Sequence, residues 1–349
     1  MKRTLILMAV MLVTLTASAQ EQKLLVYGVG FYNLENLFDT CHDVGKNDSE
    51  FLPDGGYHWN GLKYTHKLHN MARALADMGT DVLPKAIGCA VIGVSEVENA
   101  KALTDLCNQP ELKARNTQFV HIEGPDKRGV DCALLYNPSL FTVRDIKLVP
   151  YIYELPADSG RATRGFFTVS GTLGGDHVAI IVNHLPSRFA GSYYRELGAR
   201  QIKVVVDSLL RDDPDCKVFV MGDMNDDPTN KSMTEGLRGK AEIDKVKDGD
   251  MYNPWYNVLA KQGQGTLRYN GSWNLFDQIL LSKNLLNQNK EKDFSTLKYV
   301  KHHVFKRDYL FQTDGKYKNN PLRTHAGGVW LDGYSDHLPV VVYVAKEQK

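Results

Sequence analysis

The stretch KVFVMGDMNDDP, residues 217–228, combines the two features on which the interpretation of this chain depends. Its first part, Lys217–Met221, is short and mostly apolar, as expected of a buried strand. Asp223 and Asn225 follow at once, where the apolar run stops. Because α/β proteins place binding and catalytic groups in loops at the ends of buried strands, this stretch predicts a layered α/β fold with a site at its strand ends.

The same arrangement, an apolar run bordered by acids, amides or histidines, occurs at five other places in the chain, three before this stretch and two after it. The residues in these positions are Asn33 with Glu35, then Glu96, His184, Asp277, and the pair Asp336 and His337. One such residue alone is usually a turn former. Six such placements in one chain favour a common site.

Strand-like and helix-like segments alternate along the chain. Thr65–Met78 has apolar residues at helical spacing, and Ser192–Leu210 is a longer predicted helix. Further predicted elements are a helix at Asn99–Cys107 and strands at Leu24–Leu34, Cys89–Val94, Thr117–Ile122, Val130–Tyr136, Phe166–Thr172, His177–Asn183, Leu275–Leu281 and Pro339–Val344. We therefore predict one α/β domain over residues 20–349, with a Lys-, Asn- and Gly-rich loop insertion at 283–333.

The N-terminus has the three parts of a secretory signal peptide, predicted at 1–19. These parts are the positive start Lys2 and Arg3, the apolar run Leu5–Leu15, and the small-residue triplet Ala17-Ser18-Ala19. The run is shorter than the ~18 apolar residues of a transmembrane helix, so we expect cleavage and no membrane span. We expect an exported monomer, in the periplasm or secreted.

Charge and cysteine content narrow the function classes. The net charge is +1 at pH 7, and loss of Lys2 and Arg3 with the signal peptide makes it −1. Proteins that hold nucleic acid through many phosphates usually have a basic excess, so tight, sequence-independent DNA binding is disfavoured. The five cysteines are scattered without a CxxC pair, which argues against a zinc knuckle.

The residues at the strand ends are of the types that bind a hard cation. Glu35, Glu96 and Asp336 offer carboxylate oxygens, and Asn33 offers a neutral one. This set suits Mg²⁺, with Mn²⁺ or Ca²⁺ as alternatives. Such an ion can polarise a phosphoryl oxygen, and histidines can move protons or donate hydrogen bonds to phosphate. These residue types therefore suit metal-assisted chemistry on a phosphoester.

Seven segments in a fixed order carry a resemblance to a known family. They are FYNLENLFD (Phe31–Asp39), VIGVSEVEN (Val91–Asn99), RGVDCALLYNP (Arg128–Pro138), VNHLPSR (Val182–Arg188), GDMNDDP (Gly222–Pro228), FDQILLS (Phe276–Ser282) and YSDHLPV (Tyr334–Val340). Residues 24–345 resemble the endonuclease/exonuclease/phosphatase superfamily, which includes pancreatic-type deoxyribonuclease, abasic-site endonucleases, inositol polyphosphate 5-phosphatases and bacterial sphingomyelinases. The resemblance implies a four-layered α/β sandwich, in which helices flank two central, mostly antiparallel sheets.

The resemblance also implies a metal site at the shared edge of the two sheets. Glu96 is similar to the family's metal-binding Glu, and Asn33 and Glu35 lie beside it in the implied arrangement. Asp336 is implied to bind the metal or to lie just behind its ligands. Asn33 is in addition an expected contact of the substrate phosphate.

The catalytic residues are implied in the same way. Asp223 and Asn225 resemble the pair that positions water and contacts phosphate. His337 resembles the catalytic histidine, with Asp277 as the carboxylate that orients it. His184 takes the position that is His in deoxyribonuclease-like and phosphatase members and Tyr in abasic-site enzymes. This difference argues against a role in abasic-site repair.

Arginines near these motifs are the expected phosphate contacts. Arg128 precedes a predicted strand, and Arg188 follows His184 in a predicted loop. A guanidinium can bind phosphate through two parallel hydrogen bonds. Arg195 and Arg200 are either further phosphate contacts or solvated charges on a helix.

Three functions remain open on the sequence. The first is an exported endonuclease or phosphodiesterase that acts on nucleic acid, with Lys283–Arg323 as a basic wall along the backbone. The second is a phosphatase or phospholipase C-type enzyme on a small or lipid phosphoester, such as an inositol phosphate or sphingomyelin. The third, a binding module without activity, is disfavoured because every predicted catalytic position holds a competent residue.

Overall fold

The computed structural model describes residues 23–289 and 292–348. The predicted signal peptide at 1–19 lies outside these ranges. Within them the strands are β1 (Leu24–Leu37), β2 (Val91–Val97), β3 (Gln118–His121), β4 (Asp131–Tyr136), β5 (Phe141–Val149), β6 (Phe166–Leu173), β7 (Asp176–His184), β8 (Lys217–Asp223), β9 (Gly239–Lys240), β10 (Met251–Tyr252), β11 (Leu267–Tyr269), β12 (Ser272–Asn274), β13 (Asp277–Ser282), β14 (Lys298–Val304), β15 (His325–Ala326), β16 (Val329–Trp330) and β17 (Val340–Glu347).

The α-helices are α1 (Gly61–Asp77), α2 (Ala100–Cys107), α3 (Pro110–Lys113), α4 (Ser192–Asp212) and α5 (Trp255–Gln262). Short 3₁₀ turns lie at Ser49–Phe51, Pro156–Asp158, Arg188–Ala190, Ile243–Lys245, Lys283–Leu285 and Asp308–Leu310, and a π turn at Ser232–Gly236. α1 begins where the side chain of Asn60 accepts hydrogen bonds from the backbone N–H groups of Leu62 and Lys63. Such a cap satisfies donors that the first helical turn leaves unpaired. No helix in the described ranges is long and apolar enough to cross a bilayer.

Two large sheets form the centre of the molecule. The first has the strand order β14-β17-β1-β2-β4-β3, and the second has the order β5-β6-β7-β8-β13-β10-β9. Most neighbouring strands are antiparallel, whereas β1 with β2, β7 with β8, and β9 with β10 are parallel. The predicted pair of mostly antiparallel central sheets is confirmed.

The sheets pack face to face, and helices cover their outer faces. At Gly93 in β2, a Cβ atom would lie 2.4 Å from Sδ of Met221 in β8, so the close approach requires glycine. α1 packs on β1 of the first sheet, and α4 packs on β8 of the second. Helix, sheet, sheet and helix make the four layers that the resemblance implies.

The segment 283–333, predicted as a loop insertion, is partly regular. It contains β14, which is an edge strand of the first sheet, and the β15–β16 hairpin. β5 at the edge of the second sheet was also not predicted. Edge strands pair on one side only and carry exposed charged residues, so they lack the continuous apolar run by which the central strands are detected.

Candidate active site

Strand register brings the predicted site residues to one edge of the two sheets. In the second sheet, His184 at the end of β7 lies beside Asp223 at the end of β8. Asp223 in turn lies opposite Asp277, the first residue of β13. In the first sheet, Asn33 of β1 pairs with Ser95, one residue before Glu96. Residues far apart in sequence therefore meet because their strands end together.

Hydrogen bonds from Asn33 join the two sheets at this edge. Its Nδ2 donates to Oδ2 of Asp223 at 3.0 Å and to Oε1 of Glu96 at 3.3 Å. The other oxygen of Glu96 accepts from the backbone N–H of Asn36 at 3.0 Å. Asn33 and Asp223 are buried. The amide therefore fixes the separation of two carboxylates whose charges repel each other.

His337 and Asp277 form a buried pair. Nδ1 of His337 lies 2.7 Å from Oδ2 of Asp277, and its Nε2 lies 3.8 Å from Oδ2 of Asp223. Burial opposes the charged imidazolium, but the carboxylates of Asp277 and Asp223 outweigh it and raise the pKa of His337 well above its usual value. Burial, with Asp277 adding repulsion, raises the pKa of Asp223 to about 7. Close carboxylates and an imidazole can exchange a proton at this point.

His184 lies on the other side of Asp223 and has the opposite charge preference. Its Nε2 is 3.6 Å from Oδ2 of Asp223 and 3.8 Å from Oε1 of Glu96. Burial and the nearby guanidinium groups of Arg164 and Arg128 hold the pKa of His184 well below its usual value. The environment therefore favours a neutral imidazole at His184, in contrast to His337.

Three predicted site residues have a left-handed backbone. The φ angles are 46° for Glu35, 60° for Glu96 and 49° for Asn225. Residues with a Cβ atom rarely adopt this conformation, and the surrounding structure must stabilise it. For Asn225, backbone N–H donates to Oδ1 of Asp223 and Nδ2 donates to the carbonyl of Leu185, both at 2.9 Å. The strained backbone thus directs side chains to the shared edge.

Glu35, predicted as a metal ligand, takes part in an ion pair in this structure. Its Oε1 lies 3.1 Å from Nε of Arg323, and its Oε2 accepts from the backbone N–H of Thr324 at 2.7 Å. Nη2 of Arg323 also bonds to Oδ2 of Asp336 at 3.0 Å. Both oxygens of Glu35 are thereby occupied, and a guanidinium stands between it and Asp336.

The side chains around Asp223 offer a compact set of atoms that can bind a cation. Single donor atoms of Glu96, His184 and Asp223 all lie within 4.8 Å of one another, and the same holds for Asp223, Asp277 and His337. Carboxylate oxygens at this separation fit a hard divalent ion. Of the predicted ligands, Glu96 is therefore within this set, whereas Asp336 lies at its margin, with Oδ1 4.0 Å from Nε2 of His337.

Most of the predicted catalytic residues line an open cavity of about 760 Å³. Glu96, His184, Asp223, Asn225, Asp336 and His337 contribute to its wall. Arg128 lines the same cavity and is exposed, as a phosphate contact requires. Arg188 lies outside it, in an adjoining pocket, where its Nη2 is 2.9 Å from Oδ2 of Asp227.

Arg195 has neither of the roles that the sequence left open. It is buried, with Nε 2.8 Å from Oδ1 of Asp226 and Nη1 on the backbone carbonyls of Ser187 and Gly191. The side chain therefore holds the loop after β7 against the loop after β8. It contributes to the site by fixing these two loops.

Three cationic residues beside the site were missed in the sequence. Arg164 is buried in the cavity wall, pairs with Asp126 at 2.7 Å and donates to the carbonyl of His184 at 3.1 Å. Arg323 forms the ion pair described above. Lys67 is fully buried on the apolar face of α1, and the pKa of its amine is lowered to about 8 by burial. Of the three, only Lys67 could have been found from the sequence, because it is a charged residue on the apolar face of a predicted helix. Arg164 and Arg323 lie in loops, where no sequence pattern marks them.

Comparison with known proteins gives both a family match and similar folds. The model of the Endonuclease/Exonuclease/phosphatase family matches residues 28–346. D. rerio TDP2, solved in complex with a single-strand DNA product, is 14% identical, with a TM-score of 0.53 over 91% of this chain and 98% of that chain. No curated protein sequence matches significantly.

Two proteins from Bacteroides thetaiotaomicron are similar to the same degree. An endonuclease/exonuclease/phosphatase family protein is 15% identical, with a TM-score of 0.55 over 93% of this chain and 97% of that chain. A mannosyl-6-phosphatase is also 15% identical, with a TM-score of 0.53 over 91% and 99%. At such identities the likeness concerns the fold alone. The family match over 319 of the 349 residues, together with this shared fold, shows that the chain belongs to the Endonuclease/Exonuclease/phosphatase family.

Proposed function

We propose that this protein is a metal-dependent phosphodiesterase that cleaves nucleic acid, with Mg²⁺ as the first candidate for its ion. The observation that carries the proposal is the meeting of a carboxylate set with an Asp-oriented histidine in one open cavity. Phosphodiester hydrolysis needs both, because charge must be stabilised on phosphoryl oxygens while a proton is moved. The family to which the chain belongs supports the reaction class.

Glu96 and Asp223 are the residues that would hold the ion. A bound divalent cation supplies charge neutralisation for the phosphoryl oxygens of the substrate. Asn33 keeps the two carboxylates in place, since its amide bonds to both. Neutral His184 can donate a hydrogen bond to a phosphoryl oxygen from the same side of the cavity.

His337 is the residue that transfers a proton during hydrolysis. Asp277 accepts a hydrogen bond from its Nδ1, and this fixes the tautomer and orientation that leave Nε2 toward the cavity. The raised pKa favours the charged form, in which Nε2 presents a proton to the phosphate. Once this proton is lost, Nε2 can accept one from attacking water. Arg128, exposed on the cavity wall, contributes a guanidinium for a nonbridging oxygen.

A phosphatase acting on a small phosphoester is the second candidate. The same cavity residues suit monoester hydrolysis, and the near-neutral charge is compatible with it. A similar fold is that of a mannosyl-6-phosphatase. A phospholipase C-type activity on lipid phosphoesters has less support, because the sequence has no long hydrophobic hairpin for membrane contact.

Substrate profiling separates these candidates. Purified protein with Mg²⁺ is incubated with plasmid DNA, single-stranded DNA, RNA, sphingomyelin, inositol phosphates and mannose 6-phosphate. Gel electrophoresis measures chain cleavage, and a colorimetric assay measures released inorganic phosphate. The proposal requires shortened polynucleotide chains. Release of phosphate from monoesters without any chain cleavage would establish the second candidate instead.

Export is a further part of the proposal, supported by the features of residues 1–19. Expressed in a Gram-negative host, the mature protein is expected to begin near Gln20 and to be recovered outside the cytoplasm. N-terminal sequencing of fractionated cells is the measurement. An intact Met1 on protein from the cytoplasm would refute export.

A further inference from the structure

A second groove, of about 700 Å³, adjoins the catalytic cavity. Leu267 and Asp336 line both spaces, so the groove begins at the wall of the site. Its other walls come from the β11–β12 hairpin and from residues 312–327 of the segment between β14 and β17. A polymer bound at the catalytic residues can therefore continue into this groove.

The groove has an excess of positive charge. Arg268, Lys316 and Lys318 line it, and within the described ranges none of them forms an ion pair with a carboxylate. Its one acidic residue, Asp336, is already paired with Arg323. Lys316 and Lys318 are exposed. Unpaired cations in a concave wall attract a polyanion, although the whole chain is near neutral.

Aromatic side chains stand beside the same junction. Phe189, Tyr269 and Phe276 line a pocket of about 370 Å³ that shares Asn225 and Leu267 with the catalytic cavity. Phe189 is fully exposed, at 101%, and Tyr269 is 65% exposed. Two exposed rings on the wall of one pocket offer faces on which a base can stack. We name Phe189 and Tyr269 the aromatic shelf; Phe276, the third aromatic residue of the pocket, is buried.

We propose that the basic groove and the aromatic shelf together bind a single-stranded segment of nucleic acid, an inference that rests on the proposed function. In this arrangement, phosphates of the strand contact Arg268, Lys316 and Lys318, and a base stacks on the aromatic shelf. The scissile phosphate lies in the catalytic cavity. Tyr269 lines both the groove and the shelf pocket, so the two surfaces are continuous.

The shelf is what selects a single strand over a duplex. Base stacking on an aromatic ring requires a base whose face is free, and in a duplex each face already contacts the next base pair. A small phosphosugar, in turn, has no second phosphate to contact Lys316 or Lys318. Only an unpaired polynucleotide supplies both a row of charges and free aromatic faces.

Fluorescence anisotropy tests the inference on the mature protein. The probes are a labelled 12-nucleotide DNA strand, the RNA strand of the same sequence, and the matching DNA duplex, in EDTA so that no strand is cleaved. We expect the single strands to bind at least ~5-fold more tightly than the duplex. The tighter of the DNA and RNA strands then identifies the sugar that the groove accepts.

Two sets of variants probe the groove and the shelf independently. Lys316→Ala with Lys318→Ala is expected to weaken single-strand binding about 10-fold at low salt. It should also reduce the slope of log Kd against log salt by roughly 1.4, because two phosphate contacts of a single strand are lost. Phe189→Ala is expected to weaken binding roughly 5-fold or more with the salt slope unchanged. Lys261→Ala, at an exposed lysine that lines neither space, is the matched control.

The inference and the proposed function can fail separately. Cleavage of the same strands by the wild type with Mg²⁺ tests the proposed function. If the strands are cleaved while both sets of variants bind like wild type, the groove and shelf are not the binding surface. Equal binding of the duplex, or no binding of any strand, overturns the inference as well.

Discussion

Nε of Arg323 lies 3.1 Å from Oε1 of Glu35, although 288 residues separate the two in sequence. The contact ties the segment between β14 and β17 to the end of the first strand. Glu35 is buried, whereas the Arg323 side chain is 44% exposed. Burial and the nearby Asp336 raise the pKa of Glu35 to about 7, and Lys67 and Arg323 oppose this shift. A long insertion is thereby fixed at the rim of the site.

Arg323→Ala is expected to destabilise the protein by about 1–3 kcal/mol. The substitution leaves Glu35 buried with one cationic partner fewer, and an uncompensated buried charge is costly. Urea denaturation followed by circular dichroism is the measurement. Arg268→Ala, at a partly exposed arginine with no carboxylate partner in the described ranges, should change stability by less than ~0.5 kcal/mol. Equal stability of the two variants would contradict the role of the ion pair.

Much of the fold could be predicted because its central strands are buried on both faces. Residues such as Val218, Phe219 and Val220 form uninterrupted apolar runs, and the polar residues after them mark the strand ends. The edge strand β14 could not be found, because Lys298–Val304 pairs on one side only and is largely polar. Its sequence resembles that of a loop.

The candidate site was predictable to the extent that its residues lie at strand ends. Asp223 ends β8, Asp277 begins β13, and His337 lies shortly before β17. Strand register places Asp223 opposite Asp277, and a hydrogen bond joins Asp277 to His337. The charge partners were not predictable in this way. Arg164 and Arg323 reach the site from loops, and only the folded chain shows that their guanidinium groups face Asp126 and Glu35.

Gly93→Ala is expected to destabilise the protein by about 1–3 kcal/mol. The added Cβ would lie 2.4 Å from Sδ of Met221 and 3.2 Å from Cγ1 of Val182, where the two sheets meet. Overpacking of a close-packed interior costs this much because side chains must leave their preferred rotamers. Gly56→Ala, which meets nothing within 4 Å, is the control in the same urea experiment. A Gly93→Ala protein as stable as that control would argue against close sheet packing here.

His302 is expected to make the protein less stable in mild acid. It packs edge-on against Trp255, and burial lowers the pKa of its imidazole to about 4. Below the unfolded pKa of about 6.5, the unfolded state binds a proton that the folded state does not. The stabilisation is therefore complete above pH 6.5 and is lost as the pH falls towards 4.

The measurement is the free energy of unfolding at pH 7 and pH 5. Between these values the wild type should lose about 1–2 kcal/mol more than His302→Gln. His69→Gln, at an exposed position on α1, should lose as much as the wild type. If the free energy of unfolding had the same pH dependence in wild type and His302→Gln, the pKa of His302 would not be lowered in the folded state.

Removal of the metal ion is expected to abolish activity. Phosphoesterase activity should disappear in EDTA and return with Mg²⁺ or Mn²⁺. Glu96→Gln should weaken Mn²⁺ binding at least ~10-fold, because a hard cation loses a charged ligand. Electron paramagnetic resonance measures free Mn²⁺ independently of activity, and Glu50→Gln, at an exposed acid, is the control. Full activity in chelator would remove the ion from the mechanism.

The pair formed by Asp277 and His337 is expected to act as a catalytic unit. His337→Ala and Asp223→Asn should each lower kcat by at least ~10²-fold, as expected when a proton-transfer or charge-stabilising group is lost. Asp277→Asn should cost less, because it disturbs the tautomer and orientation of the imidazole without removing the ring. Single-turnover kinetics on the phosphoester identified by substrate profiling is the measurement.

The double variant distinguishes a unit from two independent residues. Asp277→Asn added to His337→Ala should lower kcat little further, because Asp277 acts through the imidazole that is already gone. Thermal melts of each variant must accompany the kinetics, since Asp277 is fully buried and its substitution could act by loosening the fold. Melting temperatures within a few degrees of wild type would assign the losses to chemistry. A double variant whose loss equals the product of the single losses would show that Asp277 and His337 do not work as one unit.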